Sequence, residues 1–206
     1  MAVLTATAGL VASPAVTADA AVPKVRAGME INVEETLITA SSCTLGAVVS
    51  QRKALTAGHC GKVGQVVYDR AGVPIGKITA NESARKLDIA VITLAPRVST
   101  KPDVVDFDAV LQAGQPISKY GITTGRGTGQ IVDPRPELIT SHGFSLAPHF
   151  FLEQATHSVK TTLRSQGGDS GAGVRDADGR VVGILSSGDD KYTFFAPVSR
   201  LPQRLR

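Results

Sequence analysis

Gly167-Gly168-Asp169-Ser170-Gly171 sets a serine among glycines, and two segments upstream supply what a serine needs to become a nucleophile. They are Thr56-Ala57-Gly58-His59-Cys60 and Leu87-Asp88-Ile89-Ala90-Val91. A serine hydroxyl attacks poorly at neutral pH unless a base within hydrogen-bond reach takes its proton and a third group holds that base in one tautomer. Ser170, His59 and Asp88 have the chemistry for nucleophile, base and orienting acid. The glycines have a physical task as well. For Gly168 N–H and Ser170 N–H to converge on a developing oxyanion the backbone must turn sharply, and a side chain at Gly168 would obstruct that concavity. Taken singly, each residue has a plain reading: His59 as a loop histidine, Asp88 as a turn residue before an apolar strand, Ser170 as a turn serine. The flanking residues and the combination carry the catalytic reading.

The chain order His, Asp, Ser selects among folds, because subtilisin-like and α/β-hydrolase proteins carry the same groups in other orders. The sequence resembles the chymotrypsin-fold (trypsin-like) serine proteases, and more narrowly their bacterial streptogrisin and α-lytic protease branch. Lys119-Tyr120-Gly121-Ile122-Thr123-Thr124-Gly125 is similar to that branch's Arg-Ser-Gly-x-Thr-Thr-Gly strand, and Tyr192-Thr193-Phe194-Phe195-Ala196-Pro197-Val198 to its closing Thr-Thr-Phe-Phe-x-Pro-Val. The matches run from about residue 43 to the end. The resemblance implies an all-β fold of two antiparallel β-barrels with the active site in the cleft between them. Residues 1–28 then read as leader and linker, 29–112 as an N-terminal barrel with His59 and Asp88, and 113–206 as a C-terminal barrel with Ser170. The implied activity is serine endopeptidase hydrolysis through an acyl-enzyme, on a peptide or protein substrate, by a monomer.

Composition agrees with an all-β chain. Aromatic residues are 4% of 206 and Trp is absent, so the core must rest on Val, Ile, Leu and Ala, whose β-branched members suit strands. Short apolar runs broken by 21 Gly and 11 Pro argue for a sandwich or barrel. Net charge is +4, but the basic and acidic residues are interspersed, which gives a nucleic-acid reading little support. Strands are expected at 47–50, 53–57, 64–68, 74–78, 89–94, 117–120, 181–185 and 192–195. Gly125-Arg126-Gly127-Thr128-Gly129 reads as a glycine-rich turn.

The first 20 or so residues are rich in Ala, Val, Thr and Leu, and Ala18-Asp19-Ala20 or Asp19-Ala20-Ala21 offers a small-x-small cleavage site resembling the end of a secretory signal peptide. No Lys or Arg precedes the apolar stretch, so the start lies upstream or the signal is weak. Spanning a membrane takes about 20 predominantly apolar residues, which this stretch lacks. A secreted or cell-envelope location is expected. Cys43 and Cys60 are the two cysteines. In the resembled family a disulfide at these positions clamps the histidine loop; two free buried thiols are the alternative. The export signal favours the disulfide.

Further roles follow from the resemblance alone. It places Ser186 against the buried Asp88 carboxylate, pairs an extended substrate with Ser186-Ser187-Gly188, and holds the oxyanion loop through an Asp169–Lys119 ion pair, with Lys119 where the branch carries Arg. Arg164 stands where the branch has a pocket cysteine, so the pocket is unclamped. Asp189 or Asp190 offers a charge for a basic residue before the scissile bond, against the plainer reading of a solvated turn, and Arg164 would oppose that preference if it faced inward. The region from Pro134 to Gln154 matches least and reads as a loop. It contains His142 and His149, with His157 just beyond, but their spacing fits no compact metal motif. Neither a metal nor a cofactor is expected. Two rival readings stand beside the endopeptidase: an esterase-like or narrow-specificity hydrolase on the same fold, and a protease-shaped binding protein with little turnover.

Overall fold

The computed structural model describes residues 22–34, 40–144 and 151–206. The candidate cleavage sites near residue 20, and His149, lie outside them. Among the described residues fifteen strands run in chain order: β1 Lys24–Val25, β2 Glu30–Glu34, β3 Ala40–Thr44, β4 Ala47–Ser50, β5 Lys53–Thr56, β6 Val66–Asp69, β7 Pro74–Asn81, β8 Ala90–Leu94, β9 Ser99–Thr100, β10 Pro116–Gly121, β11 Gly125–Phe144, β12 Phe151–Thr161, β13 Gly173–Arg175, β14 Val181–Gly188 and β15 Thr193–Pro197. They form two antiparallel β structures with a small parallel β1–β9 pair at the side. The first is a seven-stranded curled sheet in the order β3-β2-β6-β7-β8-β5-β4. The second closes as a barrel, β10-β11-β12-β15-β14-β13.

Branched aliphatic side chains fill the interior, several strands being buried almost continuously, and the fully buried set includes Ile31, Leu45, Leu55, Ile75, Ile78, Ile92 and Leu94. Each contributes about 1.5–3 kcal/mol when fully buried. This core also takes in Val181, Ile184, Ala196, Val198 and Leu201 from the second half of the chain, whereas Ile117, Ile131, Val159, Leu163 and Phe195 belong to a separate core inside the barrel. The shared apolar layer seats the two halves against each other. It therefore sets the geometry of the cleft between them.

Residues before β2 pack against the folded chain as well, since Val25 is buried and Gly28 N–H donates to Leu45 O at 2.8 Å. Two sequence expectations are overturned. The glycine-rich segment 125–129 is the opening of strand β11 rather than a turn. Gly129 is there for close approach: a Cβ on it would lie 2.8 Å from Leu163 N. Of the region from Pro134 to Gln154, the described residues 134–144 and 151–154 lie in the arm formed by two antiparallel strands rather than in a loop, with β11 and β12 paired from Ile131↔Thr161 to Phe144↔Phe151. Pro134 and Pro136, which disguise the strand in sequence, fall where the register shifts between Asp133 and Glu137. A bulge accommodates residues that cannot donate to the ladder.

Candidate active site

Strand β5 ends at Thr56 and a short 3-10 turn, Gly58–Cys60, carries His59. Two ties hold that turn. Cys60 is disulfide-bonded to Cys43 on β3, and Asn81 at the end of β7 donates from Nδ2 to Gly58 O at 2.7 Å and Gly61 O at 2.8 Å. The sulfurs lie close to the imidazole but are joined to each other, so no thiolate is left to bind a metal there. Asp88, just before β8, is fully buried and accepts from His59 N at 2.8 Å on Oδ1 and from His59 Nδ1 at 2.8 Å on Oδ2. Ser186 Oγ donates to the same Oδ2 at 2.6 Å. Accepting through Asp88 fixes the tautomer, with the proton on Nδ1 and the Nε2 lone pair free.

Burial opposes charge on both groups, and their pairing outweighs it. Desolvation pushes the His59 imidazole down, yet the Asp88 charge and hydrogen bond leave it above its ordinary value of 6.5. Desolvation likewise pushes the Asp88 carboxyl up, but the charge of His59 and the donors around it hold it below 3.8. Asp88 therefore stays ionised across neutral pH.

Ser170 sits in the turn between Gly167 and β13 and lines one cleft with His59, Ser165, Gln166 and Ser186–Gly188. The cleft encloses about 640 Å³. Among the described residues no hydrogen bond joins Ser170 Oγ to His59. Such contacts in unliganded sites are commonly long and tighten with substrate. Gly168 has φ +95°, and a Cβ there would meet Thr123 Oγ1 at 2.4 Å. The first obstacle to a side chain is thus the wall behind the loop. Among the described residues neither the Gly168 nor the Ser170 amide donates a hydrogen bond within the chain. Both remain available to an incoming acceptor.

Asp169 turns the other way, into the protein. Its carboxylate is fully buried and accepts from Lys119 Nζ at 2.9 Å, Thr123 N at 2.9 Å, Thr124 N at 3.0 Å, Gln166 N at 3.2 Å and Thr124 Oγ1 at 2.5 Å. Lys119 Nζ also donates to Thr124 Oγ1. Desolvation is the largest influence on the Asp169 carboxyl and raises it, but these donors prevail and hold it low. The loop bearing Ser170 is also latched to β3: Thr44 N donates to Ser170 O, and Thr44 Oγ1 to Gly168 O, each at 2.8 Å.

Beyond Leu185, β14 is paired with β15 alone, leaving the backbone of Ser186–Gly188 as an open edge on the cleft. Among the described residues the buried Ser187 Oγ has no hydrogen-bond partner. At the far end Asp189 Oδ1 accepts from Lys191 N at 2.8 Å and Tyr192 N at 2.6 Å, so this carboxylate serves its own turn while also lining the cleft. Arg164 lines a neighbouring cavity with Arg126, Asp190 and Lys191.

The sequence profile of the family described as Trypsin matches residues 23–203. The chain belongs to the trypsin family. By that membership it is a serine endopeptidase. No curated protein matches the chain significantly. Solved structures show the same fold at low identity. A Cellulomonas bogoriensis chymotrypsin is 23% identical, with 88% of this chain and 95% of that one covered at a TM-score of 0.62. Thermobifida fusca protease A is 20% identical over 86% and 94%, TM-score 0.63. A Nocardiopsis protease is 19% identical over 88% and 96%, TM-score 0.66.

Within this trypsin-family site, several residues escaped sequence reasoning. Thr44 and Asn81 have no motif around them, since each acts on backbone atoms of a distant turn. Gln154 is the largest omission: from β12 its Nε2 donates to Asp88 Oδ1 at 2.9 Å. Of the three histidines near this region, His149 lies outside the described residues. His142 and His157 pair with different residues along the hairpin, Glu153 and Leu138, and His157 lines a separate cavity with Glu82, Arg85 and Lys86.

Proposed function

We propose that this trypsin-family chain is an exported endopeptidase that hydrolyses peptide bonds through an acyl-enzyme on Ser170. The observation that carries the reading is the buried Asp88 carboxylate 2.8 Å from His59 Nδ1, in a cleft that Ser170 also lines. Ser170 Oγ attacks the substrate carbonyl carbon as its proton passes to His59 Nε2, and the imidazolium formed is stabilised by Asp88. The carbonyl oxygen becomes an oxyanion that accepts from the Gly168 and Ser170 amides. Collapse expels the amine, which takes the proton back from His59 and leaves an ester on Ser170. Water, deprotonated by His59, then attacks the ester and frees the acid and the serine.

The open edge at Ser186–Gly188 suits an extended peptide that pairs as an added strand. Asp169 and Lys119, buried together behind the loop, keep the two amide donors in place. Lys119 supplies the counter-charge from within the chain, so activity needs no newly exposed amine. Export is supported by the Cys43–Cys60 disulfide, since such bonds persist in oxidising compartments. No helix among the described residues is long and apolar enough to cross a membrane.

The test is a fluorophosphonate probe applied to the purified protein beside Ser170→Ala and His59→Ala, with the adduct located by mass spectrometry. Labelling at Ser170 that disappears in both variants supports the triad. Well-folded protein that takes up no label would sink it and leave a binding role in its place. Cleavage of casein by the unlabelled enzyme, abolished once Ser170 is labelled, then separates an endopeptidase from an ester-only hydrolase.

A further inference from the structure

Asp88 accepts four hydrogen bonds, and they come from three parts of the chain. His59 gives two from its turn, Ser186 one from β14, and Gln154 one from the hairpin arm, 2.9 Å from Oδ1. An ionised carboxylate has about four acceptor sites, so Gln154 fills the last. The amide has one acceptable sense, because its other orientation would set Oε1 against a carboxylate. Gln154 lies opposite Ser141 in the β11–β12 ladder, and both face the cleft.

We propose that Gln154 is a positioning residue for the Asp88–His59 pair, so that the β11–β12 hairpin completes the catalytic machinery as well as walling the cleft. The inference rests on the triad reading. With one donor removed, Oδ1 keeps only the His59 amide, and the carboxylate loses a restraint on the oxygen that does not face the ring. The hydrogen bond also draws charge from Asp88. Asp88 is the leading charge acting on His59, and His59 the leading charge acting on Asp88, so the readout follows this pair first. Gln154 helps hold the Asp88 carboxyl low; without it more charge faces His59 and the imidazole becomes more basic.

The experiment measures fluorophosphonate labelling of Ser170 against pH in the full chain, in Gln154→Leu and in Gln154→Glu. Gln154→Leu should label at least about tenfold more slowly on the plateau, the factor that one hydrogen bond to a charged group supplies. Its acid limb should move to higher pH, and Gln154→Glu, which sets a second carboxylate beside Asp88, should move it further. The midpoint of the limb is independent of the folded fraction where that fraction is constant across the limb, which circular dichroism at each pH establishes for parent and variants. Slower labelling with the parent's midpoint in both variants is what a merely loosened hairpin would produce, and it overturns the proposal while leaving the triad intact. A parent that labels at no pH overturns the triad reading and this one with it.

Discussion

Removing Lys119 should be one of the most destabilising single changes in the protein, and less so than removing its partner. Both side chains are 0% exposed and 2.9 Å apart. Truncating one member of such a pair costs about 3–5 kcal/mol, because the other is left as an uncompensated buried charge. The structure sets where in that range each change falls. In Lys119→Met the Asp169 carboxylate keeps three backbone amides and the Thr124 hydroxyl, so the loss should sit near the bottom, about 3 kcal/mol. In Asp169→Ala the ammonium keeps only Thr124 Oγ1, and the amides of Thr123, Thr124 and Gln166 lose their acceptor together, so about 5 kcal/mol or more is expected. Against a typical total of about 5–15 kcal/mol, the second change approaches unfolding. Urea melts at pH 7 measure both, provided the slope stays constant. The pH dependence has a fixed sign. The Asp169 carboxyl is lowered in the folded state, so its contribution is present above the ordinary carboxylate range and is lost as pH falls through the lowered folded value. A Lys119→Met loss under about 1 kcal/mol, or a larger loss than in Asp169→Ala, would refute this account of the loop.

Three other outcomes are expected. Only neutral His59 accepts the serine proton and its pKa is raised, so labelling of Ser170 should fall off in acid with a midpoint above 6.5; a midpoint below 6.5 contradicts the pairing with Asp88. Gly168→Ala must place a Cβ 2.4 Å from Thr123 Oγ1 at φ +95°, displacing one oxyanion donor, and turnover should drop by about 10²–10³. An unchanged turnover number would remove Gly168 from the oxyanion site. Replacing Cys43 and Cys60 together by alanine opens a cross-link with a sequence separation of 17 and should lower stability by about 3 kcal/mol in the chain-entropy model, read from thermal or urea melts.

Much of the site was legible in sequence because its chemistry is carried by short contiguous segments. His59 and Ser170 each sit in a five-residue context that leaves little freedom of interpretation, and their order around Asp88 pointed to the fold. The Lys119–Asp169 pairing came from the resemblance, and the geometry brings the two together at 2.9 Å. Strands such as β4, β5, β8 and β14 were readable from apolar runs between turns. The hairpin arm was not. Gly129 looks like a turn residue, and Pro134 and Pro136 look like loop residues, until the backbone that leaves no room for a Cβ at Gly129 and the bulge that absorbs the prolines are known.

The sequence by itself pointed to Ser170, His59 and Asp88 as candidate nucleophile, base and acid, and to the glycine-flanked turn that carries the serine, because each lies in a short local arrangement of residue type and backbone freedom. Only the tertiary structure decided that Gln154 reaches Asp88, that Thr44 latches the nucleophile loop, and that Arg164 lines a cavity other than the cleft. Those contacts join residues 66 and 124 or more positions apart in the first two cases, and a hydrogen bond between distant segments leaves no periodic trace in either one. It exists because the apolar layer shared by the two halves brings those segments to hydrogen-bond distance.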